Sequence, residues 1–125
     1  MARILVAEDE AAVREFVRRG LESKGHDVVA VDDGGEALER LAAGSFDLLL
    51  ADIVMPVMDG IALALKASDV APETPVLLMT GYAAEKQRAH NLESLIADVL
   101  SKPFSLDQLA TAVRRALAAN EDGGT

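Results

Sequence analysis

Five short apolar runs, separated by longer stretches with helical spacing, leave this chain few ways to fold. The runs are Ile4 to Ala7, Val28 to Val31, Leu48 to Ala51, Val76 to Met79, and Val99 to Leu100. None shows the in-and-out alternation of a sheet with one face in water, so each predicts a strand covered on both sides. After the first run, Val13, Phe16, Val17 and Leu21 recur at helical spacing, and Leu106, Leu109, Val113 and Leu117 form a similar stripe near the end. Strand and helix therefore alternate five times. Parallel strands joined by right-handed crossovers place helices on both faces, so the pattern predicts an α/β fold: a doubly wound five-stranded parallel sheet flanked by five helices.

Turn and cap residues fall at the boundaries this scheme requires. Gly25 follows the first helix, Asp33-Gly34-Gly35 opens the second, Asp59-Gly60 turns into the third, and Pro72 and Pro75 bracket the approach to strand four. Ser105, with Gln108 three residues on, predicts a capping box at the start of the last helix. The fourth helical segment is the sparsest. From Ala83 to Asn91 it carries no large apolar residue, so it is expected to be mobile until Leu92, Leu95 and Ile96 supply an anchor. Residues 1–119 make one domain, and the polar residues 120–125 are expected to form a disordered tail.

Composition removes several function classes. The chain is 50% hydrophobic but only 3% aromatic, so its core is built from Leu, Val, Ile and Ala. A formal net charge of -9 opposes a nucleic-acid surface, which needs basic side chains to displace phosphate counterions. Without cysteine there is neither a disulfide framework nor a thiolate metal site. The apolar run after Arg3 is far shorter than a signal-peptide core, and no stretch approaches the about 18 residues of a membrane span, so a cytoplasmic location is expected.

The chemistry is carried by residues at strand ends. Glu8 and Asp9 close the first run, Asp52 closes the third, Thr80 follows the fourth, and Lys102 follows the fifth. In a doubly wound sheet, ligands bind beyond the carboxyl ends of the strands. If strands one and three are neighbours, three carboxylates converge there, and their mutual repulsion raises the pKa of at least one. A hard cation relieves that repulsion, and Mg²⁺ favours one or two carboxylates together with a phosphoryl oxygen. Asp52 is then the candidate nucleophile toward phosphorus, Lys102 a point charge for phosphate oxygens, and Thr80 a hydroxyl donor to the same group. Singly, each residue is more often a turn former, a cap or a surface charge. Four strand ends out of five bearing complementary parts of one site make the phosphoryl reading the stronger one. His26 and His90, away from strand ends, are expected at the surface.

Order and spacing of Ala7-Glu8-Asp9, Asp52-Ile53-Val54-Met55-Pro56-Val57-Met58-Asp59-Gly60, Thr80-Gly81 and Lys102-Pro103-Phe104 closely resemble the receiver domains of two-component response regulators, over essentially the whole chain. The resemblance implies a CheY-like (flavodoxin-like) strand order of 2-1-3-4-5. It also implies Asp52 as phosphoacceptor, Mg²⁺ held by Glu8, Asp9, Asp52 and the Val54 carbonyl, phosphoryl contacts from Thr80 and Lys102, and a cis Lys102-Pro103 bond. A histidine kinase or histidine phosphotransfer protein would be the donor, with an output protein as partner and a monomer or weak phosphorylation-dependent dimer as the assembly. One position departs from the family: three residues before the lysine, where many receivers carry Tyr or Phe, stands Val99. A β-branched aliphatic has no comparable ring swing, which shifts attention to the fourth helix and Tyr82. More narrowly, LLLADIVMPVMDGIALA, TGYAAE and VLSKPF resemble single-domain receivers of the CpdR type, which link a phosphorelay to proteolysis by the ClpXP protease.

Four functions compete on these residues, one of them a pure protein-interaction module with a degenerate acidic pocket. A stand-alone signalling switch leads, because no output domain is expected after Leu117. A phosphorelay intermediate would use the same acceptor. A Mg²⁺-dependent aspartyl-phosphate phosphohydrolase would usually carry a second Asp two residues after the nucleophile as general acid, where this chain has Val54.

Overall fold

The computed structural model describes residues 1–123. Ten elements alternate in chain order: β1 (Arg3–Ala7), α1 (Ala11–Ser23), β2 (Asp27–Val31), α2 (Gly34–Ala43), β3 (Leu48–Asp52), α3 (Gly60–Val70), β4 (Val76–Thr80), α4 (Ala83–His90), β5 (Asp98–Ser101) and α5 (Leu106–Gly123). All strand pairs are parallel, in the order β2-β1-β3-β4-β5. Each of the five apolar runs is a strand, as expected, and the ladder extends β3 to Asp52 and β4 to Thr80.

Side-chain alternation sends each central strand into two separate cores. Leu5, Leu49, Ala51 and Leu78 pack on one face against Ala37 and Leu41 of α2 and Ile61, Leu63, Ala64 and Ala67 of α3. Ile4, Val6, Leu48, Leu50, Leu77 and Met79 pack on the other against Val17 and Leu21 of α1 and Leu109, Val113 and Ala116 of α5. Covering on both sides is complete for β3 and β4 and nearly so for β1. It is only partial for the edge strands β2 and β5, whose apolar residues are mostly half-buried. In the α1 stripe Val13, Val17 and Leu21 face inward, while Phe16 is 44% exposed.

Local chemistry ends the helices where the sequence suggested. At the end of α1, Gly25 takes φ +89, its N–H donates to the Glu22 carbonyl (3.0 Å), and the His26 N–H donates to the Leu21 carbonyl (3.2 Å). That pair of bonds is a Schellman motif, and only a residue tolerant of left-handed backbone closes it cheaply. Asp33 and Asp59 cap α2 and α3 by accepting from the Glu36 and Ala62 N–H groups at 2.7 and 2.8 Å. The capping box on α5 is reciprocal: Gln108 N–H to Ser105 Oγ at 3.1 Å, and Ser105 N–H to Gln108 Oε1 at 2.8 Å.

Helix α4 is as poorly anchored as its composition implied, with Ala89 its only buried residue, while Leu92 and Ile96 just beyond it pack on the core. At the other end, α5 is described as far as Gly123, so the boundary expected at residue 119 does not end the helix. The remaining tail positions, 124 and 125, lie outside the described residues. His26 departs from its expected place: it is half-buried, and its Nδ1 accepts a hydrogen bond from the Ala2 N–H (3.1 Å) because the chain returns beside β1 there. Burial, and then the charge of the N-terminal amine, lower its pKa. His90 is exposed.

Candidate functional site

Parallel register brings the strand-end residues together. Ala7 pairs with Ala51, so Glu8 and Asp9 emerge beside Asp52, while Thr80 pairs with Ser101 and delivers Lys102 from the next strand. Carboxylate oxygens of Glu8, Asp9 and Asp52 lie within 4.8 Å of one another. Glu8 and Asp52 are buried and Asp9 is exposed. They line an open cavity of about 870 Å³, together with Val54, Lys102, Tyr82 and an apolar wall that includes Phe16 and Phe104. The two phenylalanine rings meet at 6.2 Å with a 48° tilt, which explains why Phe16 leaves the core stripe.

Lys102 ties the acids. Its Nζ donates to Glu8 Oε1 at 2.6 Å and to Asp52 Oδ2 at 3.1 Å, and the Glu10 N–H donates to Glu8 Oε2 at 3.0 Å. Burial pushes the Glu8 carboxyl above its ordinary range, opposed by the Lys102 and Glu10 bonds; the Asp52 charge adds a smaller upward push. The rise expected from carboxylate repulsion is therefore present, but desolvation is its main cause. Lys102 is also buried enough to be pulled down, yet its bonds and proximity to Glu8 and Asp52 outweigh burial and leave it above the ordinary lysine value.

Thr80 is buried, and its Oγ1 accepts from the Tyr82 N–H at 3.1 Å. It stands at the end of β4 beside the cavity rather than among its lining residues. The Lys102 N–H donates to the Thr80 carbonyl (2.9 Å), and the Lys102-Pro103 bond is cis. The floor of the site is a tight backbone approach: a Cβ on Gly60 would lie 2.4 Å from the Asp52 carbonyl oxygen. Glycine at that position lets α3 start directly beneath the nucleophile candidate. In the same loop, Val57 takes φ 70 with its side chain 84% exposed, an uncommon conformation for a β-branched residue.

One participant was missed from the sequence. Arg14 of α1 donates from Nη1 to the Glu8 carbonyl at 2.9 Å and approaches the Asp9 carbonyl at 3.5 Å. Its only sequence signal is its place in the first turns of the helix that follows the acidic pair. A second acidic group, Asp32, Asp33 and Glu36, marks the start of α2, where Asp33 is the cap.

The response regulator receiver domain model matches residues 4–114. The chain belongs to this family. Among curated relatives, the response regulator receiver protein CpdR of Brucella abortus is 43% identical over 119 residues, spanning 95% of this chain and 99% of CpdR. Response regulator MprA of Mycobacterium ulcerans is 36% identical over 115 residues, and the chain spans about half the length of that regulator. The CheY-like receiver domain protein of Methanospirillum hungatei superposes with TM-score 0.90 at 28% identity, covering 98% of both chains. The receiver domain of sensor histidine kinase PA1611 from Pseudomonas aeruginosa, whose structure has a magnesium ion coordinated in the active-site cleft, gives TM-score 0.84 at 26% identity, covering 94% of this chain and 98% of that one.

The acidic pocket of this receiver suits a hard divalent cation. Three carboxylates share one cavity with a single lysine, so a net negative charge remains, and oxygen donors are the kind Mg²⁺ takes. No helix among the described residues is long and apolar enough to cross a membrane.

Proposed function

We propose that the receiver is a phosphorylation switch in which Asp52 accepts a phosphoryl group from a histidine kinase or histidine phosphotransfer protein in the cytoplasm. The observation that carries this reading is the joint placement of Lys102 on Glu8 and Asp52 at the mouth of one acidic cavity. In the transfer, a carboxylate oxygen of Asp52 forms a bond to phosphorus as the P–N bond of the phosphohistidine breaks. The imidazole nitrogen leaves with the electron pair and takes up a proton. Glu8, Asp9, Asp52 and the Val54 carbonyl would hold Mg²⁺, which supplies charge neutralisation for the transferring oxygens. Lys102 moves from the carboxylates to the phosphoryl oxygens, and the Thr80 hydroxyl donates to the same group. With Val54 in place of a general acid, the site stores the phosphoryl group rather than turning over external substrates.

Val99 offers no swinging ring, and the bond network supplies another route outward. Turning the Thr80 hydroxyl toward a phosphoryl group takes the acceptor away from the Tyr82 N–H, and Tyr82 is the N-cap of the thinly anchored α4. Lys86 of α4 also donates to Ser101, next to Lys102, at 3.0 Å. The phosphoryl state is thus read through the position of α4. Likeness to CpdR-type receivers over nearly the whole chain supports the ClpXP protease as the output partner, engaged by the unphosphorylated form.

Intact-mass measurement after incubation with Mg²⁺ and acetyl phosphate tests the reading. Wild type gains one phosphoryl group and Asp52→Asn gains none. No gain in wild type, or an equal gain in the variant, refutes it.

A further inference from the structure

The guanidinium of Arg14 is placed unlike the arginines that pair with acids: like Arg3, whose Nη1 donates to the Ser45 carbonyl at 3.3 Å, it is held by backbone. Arg18, Arg19, Arg40 and Arg88 each meet a carboxylate, but among the described residues no carboxylate lies within ion-pair distance of Arg14. Its Nη1 instead lies on two successive backbone carbonyls, 2.9 Å from that of Glu8 and 3.5 Å from that of Asp9. The side chain is half-buried, and its own N–H donates to the Glu10 carbonyl at 2.9 Å, which fixes the first turn of α1 against the same loop. A cation therefore clasps the backbone of the two residues whose carboxylates enter the cavity.

We propose that Arg14 is a positioning residue: it sets the β1–α1 loop so that the Glu8 and Asp9 carboxylates face the divalent-cation site. The inference rests on the metal-site reading above. A positive charge this near a cation site opposes cation binding, so if Arg14 acted only through charge, its removal would tighten Mg²⁺ binding. If it were a purely structural helix residue, stability would change and affinity would not. As a positioning residue, its loss weakens binding despite the lost repulsion, by the roughly 10-fold or more typical of residues that orient metal ligands.

The test is calorimetric titration of Mg²⁺ into wild type, Arg14→Gln, Arg14→Lys and the control Arg19→Gln, with a thermal melt of each protein without metal. Expected are about a 10-fold weaker Kd in Arg14→Gln, partial recovery in Arg14→Lys, whose ammonium can still reach a carbonyl, and an unchanged Kd in Arg19→Gln. Arg14→Met replaces Arg14→Gln if the latter does not fold. A folded Arg14→Gln or Arg14→Met that binds Mg²⁺ as tightly as wild type, or more tightly, overturns the inference. Wild type that binds no Mg²⁺ defeats the metal-site reading itself, and this inference with it.

Discussion

Replacing Lys102 with methionine keeps most of the stem and deletes the charge that two buried carboxylates share. Glu8 Oε1 is 2.6 Å and Asp52 Oδ2 3.1 Å from Nζ, and Glu8 has no solvent exposure at all. The gross attraction is about 5 to 6 kcal/mol for each pair at an effective dielectric near 20. Most of it offsets desolvation, and removing one partner of a buried pair costs about 3–5 kcal/mol net. For a chain of 125 residues, 1 kcal/mol moves Tm by about 4 °C, so the loss is about 12–20 °C near neutral pH. The deficit also acquires a pH dependence. Burial already raises the Glu8 pKa and Lys102 opposes that rise, so the variant raises it further. A carboxyl whose folded pKa lies above its unfolded value stabilises below the unfolded pKa, and that contribution is lost as pH rises through the folded one. The gap between wild type and Lys102→Met therefore widens as pH rises through the range above the ordinary carboxylate pKa. Differential scanning calorimetry across that range, with and without Mg²⁺, measures it; the divalent ion restores more of Tm in the variant than in wild type. A variant Tm within about 2 °C of wild type at every pH would refute the claim that Lys102 holds the cluster together.

Other substitutions probe separate parts of the site. Asp52→Asn leaves Lys102 on Glu8 while removing one of three clustered negative charges, so Tm without metal rises by about 4 °C and the Mg²⁺-induced gain shrinks; identical melts under both conditions would show that the acids do not interact. Gly60→Ala sets a Cβ against the Asp52 carbonyl oxygen at 2.4 Å and the Ile53 Cα at 2.8 Å, both backbone atoms, and is expected to cost about 1–3 kcal/mol by chemical denaturation and to slow labelling of Asp52 by acetyl phosphate. Asp59→Ala removes the cap bond to the Ala62 N–H and costs about 1 kcal/mol in the same assay; the exposed contact to Arg88 at 3.6 Å adds little.

Much of this molecule was legible in the sequence, for a physical reason. Strands buried on both faces need unbroken apolar runs, and Leu48 to Ala51 or Val76 to Met79 have no other economical fate. Caps were legible as well, since Asp33, Asp59 and Ser105 act through bonds only a few residues long. The convergence of Glu8, Asp9, Asp52 and Lys102 followed from strand ends once strands one and three were taken as neighbours, the order that the family resemblance implied, because parallel register leaves their carboxyl ends at one edge. What escaped depends on side-chain direction across elements. Phe16 fits a helical stripe by spacing yet turns to Phe104, and His26 lies one residue before a strand yet is held by the Ala2 N–H. Arg14 reaches back to carbonyls, which every residue possesses, so no sequence pattern could single out its target. Likewise, the present partners of Lys102 are carboxylates, where the sequence had suggested phosphate oxygens.

The most direct measurement is a two-dimensional amide NMR titration of wild type and Asp52→Asn with Mg²⁺ and beryllofluoride. Wild type should show saturable shifts centred on Glu8, Asp9, Asp52, Thr80 and Lys102 and spreading through Tyr82 into α4, all absent from the variant with beryllofluoride. Beryllofluoride-dependent shifts that persist in Asp52→Asn, or a wild-type spectrum that does not change, would contradict the assignment of Asp52 as the acceptor.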